Sequence, residues 1–375
     1  MAPADELVLV SGATGYIGSW VVFDLLAAGY RVRGTVRDLS KSKGKEHLQR
    51  WIDEGLPLEL VEASLLDAAS WRPAVHGCTM VAHVASPFFV GCPESEAEEK
   101  LYGPARQGTL NVLEAAFESG TVKKVVLTSS VAAVTAGHPH TTLLENPEDQ
   151  WTNMALADPY SKSKTMAERA AWDFIEAKAA EKVPCFTLAT INPALVIGPP
   201  LSSGSATSHE LPFRLINRKM PLVPSIRFGT IDVRDIARGH RLALEKDEAA
   251  GHRFVMQSDS VAMNEMGKVL REAFHPMGYN PPTRKAPYAA LWLLSHFDSQ
   301  IKAVLPTIGK GRADIDCSKV KQMLGIEFIP SSKSIEEHCH GCLQAGVEGF
   351  QQTPKYKEYL ASETAFHLPA HPKPE

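Results

Sequence analysis

Three residue types at two places in this chain could together move a proton. In the stretch D-P-Y-S-K-S-K-T-M-A-E, residues 158–168, Tyr160 and Lys164 stand four apart. On a helix that spacing puts both side chains on one face. A phenol with an ordinary pKa near ~10 relays protons poorly at neutral pH. A neighbouring ammonium favours the phenolate and lowers that value. Lys162, two residues from the tyrosine, points elsewhere and reads as a solvated helix lysine. Upstream, K-V-V-L-T-S-S-V-A-A, residues 124–133, ends a strand in Thr128, Ser129 and Ser130. Side chains alternate along a strand, so these hydroxyls cannot all face one site. One that does could hold a substrate oxygen by hydrogen bonding. The chemistry that uses such a set is carbonyl reduction, which needs hydride on carbon and a proton on oxygen.

That chemistry needs a hydride carrier, and the N-terminus has a place for one. The loop S-G-A-T-G-Y-I-G-S, Ser11–Ser19, follows the β-rich run L-V-L-V and opens a helix that ends at Gly29. Its Gly12, Gly15 and Gly18 suit a tight turn, close approach to a pyrophosphate and close helix–strand packing. Helix N-terminal amides, here near Thr14, Tyr16 and Ile17, then face the phosphates. The second strand ends T-V-R-D, Thr35–Asp38, with Lys41, Lys43 and Lys45 following. Arg37 could take a 2′-phosphate bidentately, which predicts NADP(H). If Asp38 faces the ribose instead, NAD gains ground.

The elements that must position these groups alternate strand and helix. Strands are predicted at Leu7–Val10, Arg31–Val36, Leu58–Val61, Met80–Val84, Lys124–Thr128 and Phe186–Ile191, with a helix over Gly108–Ala116. This is an α/β pattern: a Rossmann-type, doubly wound parallel sheet with a smaller, mainly helical C-terminal substrate lobe. The predicted dinucleotide-binding domain is 1–197 plus 228–260, where Phe228–Ile236 reads as a return to the sheet. The lobe is 198–227 plus 261–350, and 351–375 reads as a weakly ordered tail. The 375 residues are 44% hydrophobic and 22% charged with net charge −4, and no internal repeat is apparent. That balance points to neither a nucleic-acid nor a membrane partner. Six scattered cysteines, no apolar run of ~18 residues and a non-basic N-terminus predict a soluble, cytoplasmic protein. The run H-C-H-G-C, His338–Cys342, resembles a metal cluster. Ile335, Cys339, Cys342, Leu343 and Val347 share a helical stripe, however, so it reads as core and no metal is predicted.

Glycine at every third loop position, with the Ser…Tyr-x-x-x-Lys set, resembles the extended short-chain dehydrogenases/reductases, Ser11 replacing their threonine. The resemblance covers roughly residues 6–350 and is strongest to the dihydroflavonol-reductase-like and aldehyde (methylglyoxal) reductase branch. It implies that Ser130 is the catalytic serine beside Tyr160 and Lys164, with Lys164 also holding the nicotinamide ribose. It implies cofactor contacts at Arg37, with Lys43 or Lys45 helping beside Gly44. Ser64 and Leu65 would lie near adenine, and Val84, Ala85 and Ser86 beside ribose and phosphates. Pro193, Leu195, Val196 and Ser208 would line the nicotinamide side. Asn111 reads as structural, as do Asp232 and Asp235. Plant dihydroflavonol reductases carry an asparagine where this chain has Thr135, and the His138–Trp151 loop differs, which points away from a flavonoid. D-P-Y-S-K lacks the N-W-Y-C-Y motif of cinnamoyl-CoA reductases, whereas S-S-V-A-A matches the microbial carbonyl reductases. The predicted partner is a small carbonyl compound, the assembly a monomer or homodimer. Rival readings are a nucleotide-sugar epimerase or dehydratase, a hydroxysteroid dehydrogenase, and a non-enzymic dinucleotide sensor on the same fold.

Overall fold

The computed structural model describes residues 5–41, 44–87, 92–138, 143–296, 305, 308 and 314–372. Its described strands, in chain order, are β1 Leu7–Ser11, β2 Arg31–Val36, β3 Leu58–Glu62, β4 Met80–His83, β5 Lys124–Thr128, β6 Leu143–Leu144, β7 Thr187–Pro193, β8 Leu195–Ile197, β9 Arg227–Asp232, β10 Arg253–Met256, β11 Asp259–Ala262 and β12 Asp314–Ile315. Seven form one sheet in the order β10-β7-β5-β4-β1-β2-β3. Every neighbouring pair in it is parallel. The chain winds outward from β1 to β3, then crosses back to lay β4 on β1's other side. This is the reversal that opens a crevice at the strands' carboxyl ends.

Both faces of a parallel sheet are covered, so its strands need continuous rather than alternating apolarity. All of β1 is buried. The first helices are α1 Tyr16–Ala27, α2 Glu46–Asp53, α3 Ala68–Val75, α4 Glu94–Ala97, α5 Gly103–Glu118, α6 Pro159–Ala180, α7 Glu210–Ile216 and α8 Val233–Glu245. Helices α1 and α8 pack together on one face over Val8, Val10 and Ile191. Helices α3, α5 and α6 cover the other, over Leu9, Val125 and Leu188. The lobe has its own core, in which Ile197, Leu215, Leu270, Phe274, Cys339 and Cys342 meet.

Two expectations change. The segment Phe228–Ile236 does not return to the central sheet. Its strand β9 pairs with β8 and β11 in a separate three-stranded sheet, and α8 starts at once because Asp232 caps it. The strand that completes the central sheet is β10. The tail is also ordered further than its polar composition suggests. A helix over Pro354–Leu360 buries Tyr356 in the lobe core. The Tyr356 hydroxyl pairs with His340 Nδ1 at 3.0 Å. Further on, the Ala370 carbonyl accepts from Arg50 Nη2 at 2.8 Å and Trp51 Nε1 at 3.1 Å, which ties the tail to α2. Proline and charge mark a lack of periodicity; they do not reveal one large aromatic fully buried. Tyr356→Ala should therefore cost about 3–5 kcal/mol in urea unfolding, as for other buried aromatics; a loosely attached tail would give no change.

Candidate active site

The crevice between the ends of β1 and β4 carries the glycine loop. Gly12 has a left-handed φ of 67°, and a Cβ there would sit 3.1 Å from Ala85 Cβ. A Cβ on Gly18 would lie 2.1 Å from the Gly12 carbonyl oxygen, so only glycine lets α1 start this close to the strand end. The loop is held to β2, where Gly12 N–H donates to Thr35 Oγ1 at 3.1 Å and Ala13 N–H to Thr35 O at 3.1 Å. Gly15 caps α1 without a side-chain hydrogen bond, which leaves first-turn amides free for an anion. A backbone cradle closed to any Cβ, ending in uncapped amides at a switch point, fits a dinucleotide pyrophosphate.

Ser11 stitches this loop to the turn after β4. Its Oγ accepts from the Val84 and Ala85 amides at 2.8 and 2.9 Å. Its own proton is then directed to His83 Nδ1 at 2.8 Å. His83 is thus a neutral acceptor at Nδ1, in keeping with burial that pushes its pKa down to about 3. The next residue of that turn, Ser86, accepts from Lys164 Nζ at 2.9 Å.

Helix α6 delivers the tyrosine and lysine. Asp158 caps it, accepting from Ser161 N–H at 3.1 Å, and Pro159 stands in its first turn. Lys164 is buried, and that burial lowers its pKa to about 8, opposed by the Glu168 carboxylate. Tyr160 differs from the expectation. Its pKa is pushed up to about 12, first by burial, while a hydrogen bond from Ser130 favours the phenolate. Lys164 does not offset this, because its Nζ lies 6.0 Å from the ring centroid and donates to Ser86. Ser130 stands two residues beyond β5 and caps a short 3-10 turn, accepting from Ala132 N–H at 3.1 Å. Ser129 faces away and donates to Glu168 at 2.5 Å. Lys162 is less solvated than expected: its side chain is 20% exposed and ion-pairs with Glu94 at 2.8 Å.

At the end of β2, Arg37 is exposed. Asp38 turns into its own loop, accepting from Ser40 N–H at 2.9 Å and pairing with Lys41 at 3.3 Å. The Ser40 hydroxyl, which donates at 2.5 Å, followed by the Ser40 amide and Lys41, holds the Asp38 carboxyl below the usual range. Lys45 donates to the Leu39 carbonyl, so it braces this loop, and Lys43 lies outside the described residues. Ser64 serves α3, its carbonyl accepting from Trp71 Nε1 at 2.9 Å. Leu65 is fixed by Asn111, whose Nδ2 donates to its carbonyl at 2.7 Å, which gives Asn111 the structural part expected. The Tyr16 assignment rests on its backbone amide, and its side chain is engaged elsewhere. The hydroxyl donates to Gly198 O at 2.6 Å and the ring packs on His209, so only its backbone remains for a cofactor. Thr14 and Ile17 are half-buried beside it. Pro193 closes β7, with Leu195 and Val196 in β8; Ser208 is half-buried in the turn Thr207–His209.

Of the run His338–Cys342, only its two ends join a candidate ligand set. His338, Cys342 and His209 bring their ligand atoms within 4.8 Å of one another, all buried. Gly198 N–H donates to His338 Nδ1 at 3.2 Å, so the His338 proton is on Nε2 and goes to His209 Nδ1 at 3.1 Å. Hydrogen bonding accounts for this contact, while Cys339 and Cys342 lie in the lobe core as the helical stripe predicts. His138 is paired too, with the Trp151 carbonyl at 2.7 Å, and His140 lies outside the described residues. Sequence reasoning missed Glu168 and its partner Arg253. The signal was present: Glu168 follows Lys164 by four residues, one turn along the same helix face.

An uncapped helix start at the switch point of a doubly wound sheet defines a Rossmann-type dinucleotide-binding protein. Comparison with known proteins narrows that class. Residues 8–256 match the NAD dependent epimerase/dehydratase family, and the chain belongs to that family. It is 40% identical to cinnamoyl-CoA reductase CAD2 of Medicago truncatula over 245 residues, 64% of this chain and 72% of the relative. It is 32% identical to tetraketide alpha-pyrone reductase 1 of Arabidopsis thaliana over 93% of this chain and 97% of the relative. In structure it resembles the yeast methylglyoxal/isovaleraldehyde reductase Gre2 complexed with NADPH, with TM-score 0.74 and 26% identity over 92% of this chain and all of that one.

Two outcomes follow from the geometry. Gly18→Ala should abolish dinucleotide binding in a fluorescence titration, since the loop must open to admit the methyl. Lys164 is charged below its pKa of about 8 and neutral above it. Dinucleotide affinity should therefore hold at pH 6–7 and fall as pH rises through about 8, as read by the same titration at several pH values.

Proposed function

We propose that this chain is an NADPH-dependent carbonyl reductase that converts an aldehyde or ketone to an alcohol. The observation that carries the reading is the hydrogen-bonded Ser130–Tyr160 pair beside buried Lys164, whose Nζ bonds Ser86 in the turn that packs on the glycine loop. Bound NADPH supplies hydride to the carbonyl carbon. The α1 amides hold its pyrophosphate, and Arg37 takes the 2′-phosphate, a role supported by its exposure and by Asp38 being occupied with Ser40 and Lys41. Lys164 holds the nicotinamide ribose from beside Ser86.

Ser130 and Tyr160 then share the substrate oxygen. A phenol with a pKa near 12 is fully protonated at neutral pH, which loads Tyr160 as the acid for reduction. As its proton leaves, the Ser130 hydrogen bond stabilises the phenolate. The relatives support this class of substrate, since their names place them on a thioester, a pyrone and small aldehydes. Six free thiols, among them buried Cys78, Cys317, Cys339 and Cys342, suit the reducing cytosol as the place of action. No described helix is long and apolar enough to cross a membrane.

A carbonyl-substrate panel followed by NADPH oxidation tests the activity; turnover of none of its aldehydes and ketones would count against it. Tyr160→Phe should lower kcat by about 10²–10⁴ while NADPH still binds; near-normal turnover would end the mechanism. Arg37→Ala should raise KM for NADPH by on the order of tenfold to a hundredfold, the worth of one charge-assisted pair. KM for NADH should hardly move, and equal changes would remove the 2′-phosphate role.

A further inference from the structure

The turn after Lys164 holds a carboxylate that the reaction does not use. Glu168 is wholly buried, and both its oxygens are occupied. Oε1 accepts from Arg253 Nε at 2.6 Å, Thr190 Oγ1 at 3.2 Å and Trp172 Nε1 at 3.4 Å. Oε2 accepts from Ser129 Oγ at 2.5 Å, Asn192 Nδ2 at 2.7 Å and Arg253 Nη2 at 3.4 Å. One side chain of α6 thereby grips β7, β10 and the segment after β5. Isolated buried ion pairs add little stability over apolar packing, so this one calls for another explanation.

Its placement supplies one. Lys164 and Glu168 border the same small enclosed cavity, together with Ser86, Thr128 and Ser129. Asn192 Nδ2, bound to Glu168, also reaches the Ser130 carbonyl at 3.3 Å. Arg253 extends the grip to the far side of Ser130. Its Nη1 donates to the Glu148 and Gln150 carbonyls at 2.8 Å each, and it stacks 3.9 Å over the Trp151 ring. That segment in turn bonds the residues after Ser130: Gln150 Nε2 to Val134 O at 2.9 Å, and Thr152 Oγ1 to Ala132 O at 2.6 Å.

We propose that Glu168, clamped by Arg253, is a positioning residue: it is the counter-charge that keeps Lys164 an ammonium, and it fixes the strand end that carries Ser130. The electrostatic surroundings agree. Lys164 faces Tyr160 and Glu168 on its own helix, neutral His83 on β4, Ser86 in the following turn and Ser129 just after β5. The Glu168 carboxylate raises the Lys164 pKa against the effect of burial. Glu168 itself faces Arg253 on β10, Thr190 and Asn192 on β7, Ser129 just after β5 and Trp172 on α6. Without the carboxylate, burial would neutralise Lys164 at a lower pH.

This inference rests on Lys164 holding the cofactor ribose, so the test reads cofactor binding without turnover. NADPH binding is followed by fluorescence from pH 6 to 9 for the wild type, Glu168→Gln and the double variant Glu168→Gln/Arg253→Met. The double variant leaves no lone buried charge, and it should recover folding stability that the single variant loses. The proposal expects both variants to bind NADPH within a fewfold of wild type at pH 6 and at least tenfold more weakly at pH 8. Their alkaline limb should sit at lower pH than the wild-type limb, and the kcat/KM profile with methylglyoxal should shift with it. A wild-type limb in the stable double variant would make the ion pair purely structural and overturn the proposal. Wild-type binding that is flat across this range would instead remove the Lys164 reading, and the proposal with it.

Discussion

The site depends on how closely the glycine loop lies against the turn after β4. Ser11 sets that distance: with two amides accepted and its proton spent on His83, its hydroxyl is fully committed. Gly12 and Ala85 then come close enough that a side chain between them would barely fit. Buried polar groups tolerate such an arrangement only when each finds a partner. The same turn presents Ser86 to Lys164, so the glycine loop and Lys164 both bear on one short segment, residues 83–86. A shift there would move both at once.

Much of the site was legible because it obeys local rules. Glycine spacing after a strand announces a phosphate loop, and helical phase separates Lys164 from Lys162 without any tertiary knowledge. Asp158 and Pro159 mark a helix start in sequence and form one in the structure. What local rules missed is long-range. No spacing announces that Glu168 meets Arg253 from β10, 85 residues away. Nor does any reveal that the Tyr16 hydroxyl belongs to the lobe through Gly198. The acidity of Tyr160 fails for a related reason: proximity in sequence suggested a lysine acting on it, whereas burial dominates and the ammonium is turned to Ser86.

The fold divides the same way. Strands β1, β4 and β5 stand out as apolar runs because a covered parallel sheet demands them, while β2 and β3, toward one edge of the sheet, carry charges among their apolar residues. The four-residue edge strand β10 and the placement of β9 in a second sheet depend on partners rather than pattern. The tail shows the limit most clearly, since a proline-rich, charged segment is anchored by a buried tyrosine and by the Ala370 carbonyl reaching α2.

The account's central claim is net hydride transfer from NADPH to a carbonyl carbon, with Tyr160 closing the reaction on oxygen. A single turnover with NADPH deuterated in turn at each face of nicotinamide C4, using methylglyoxal and a panel of ketones, tests it most directly. The account predicts that one of the two labels appears on the carbinol carbon of an alcohol product, one label per NADPH oxidised. Recovery of unlabelled product with the dinucleotide unchanged, as an epimerase cycle with no net redox would give, would contradict it.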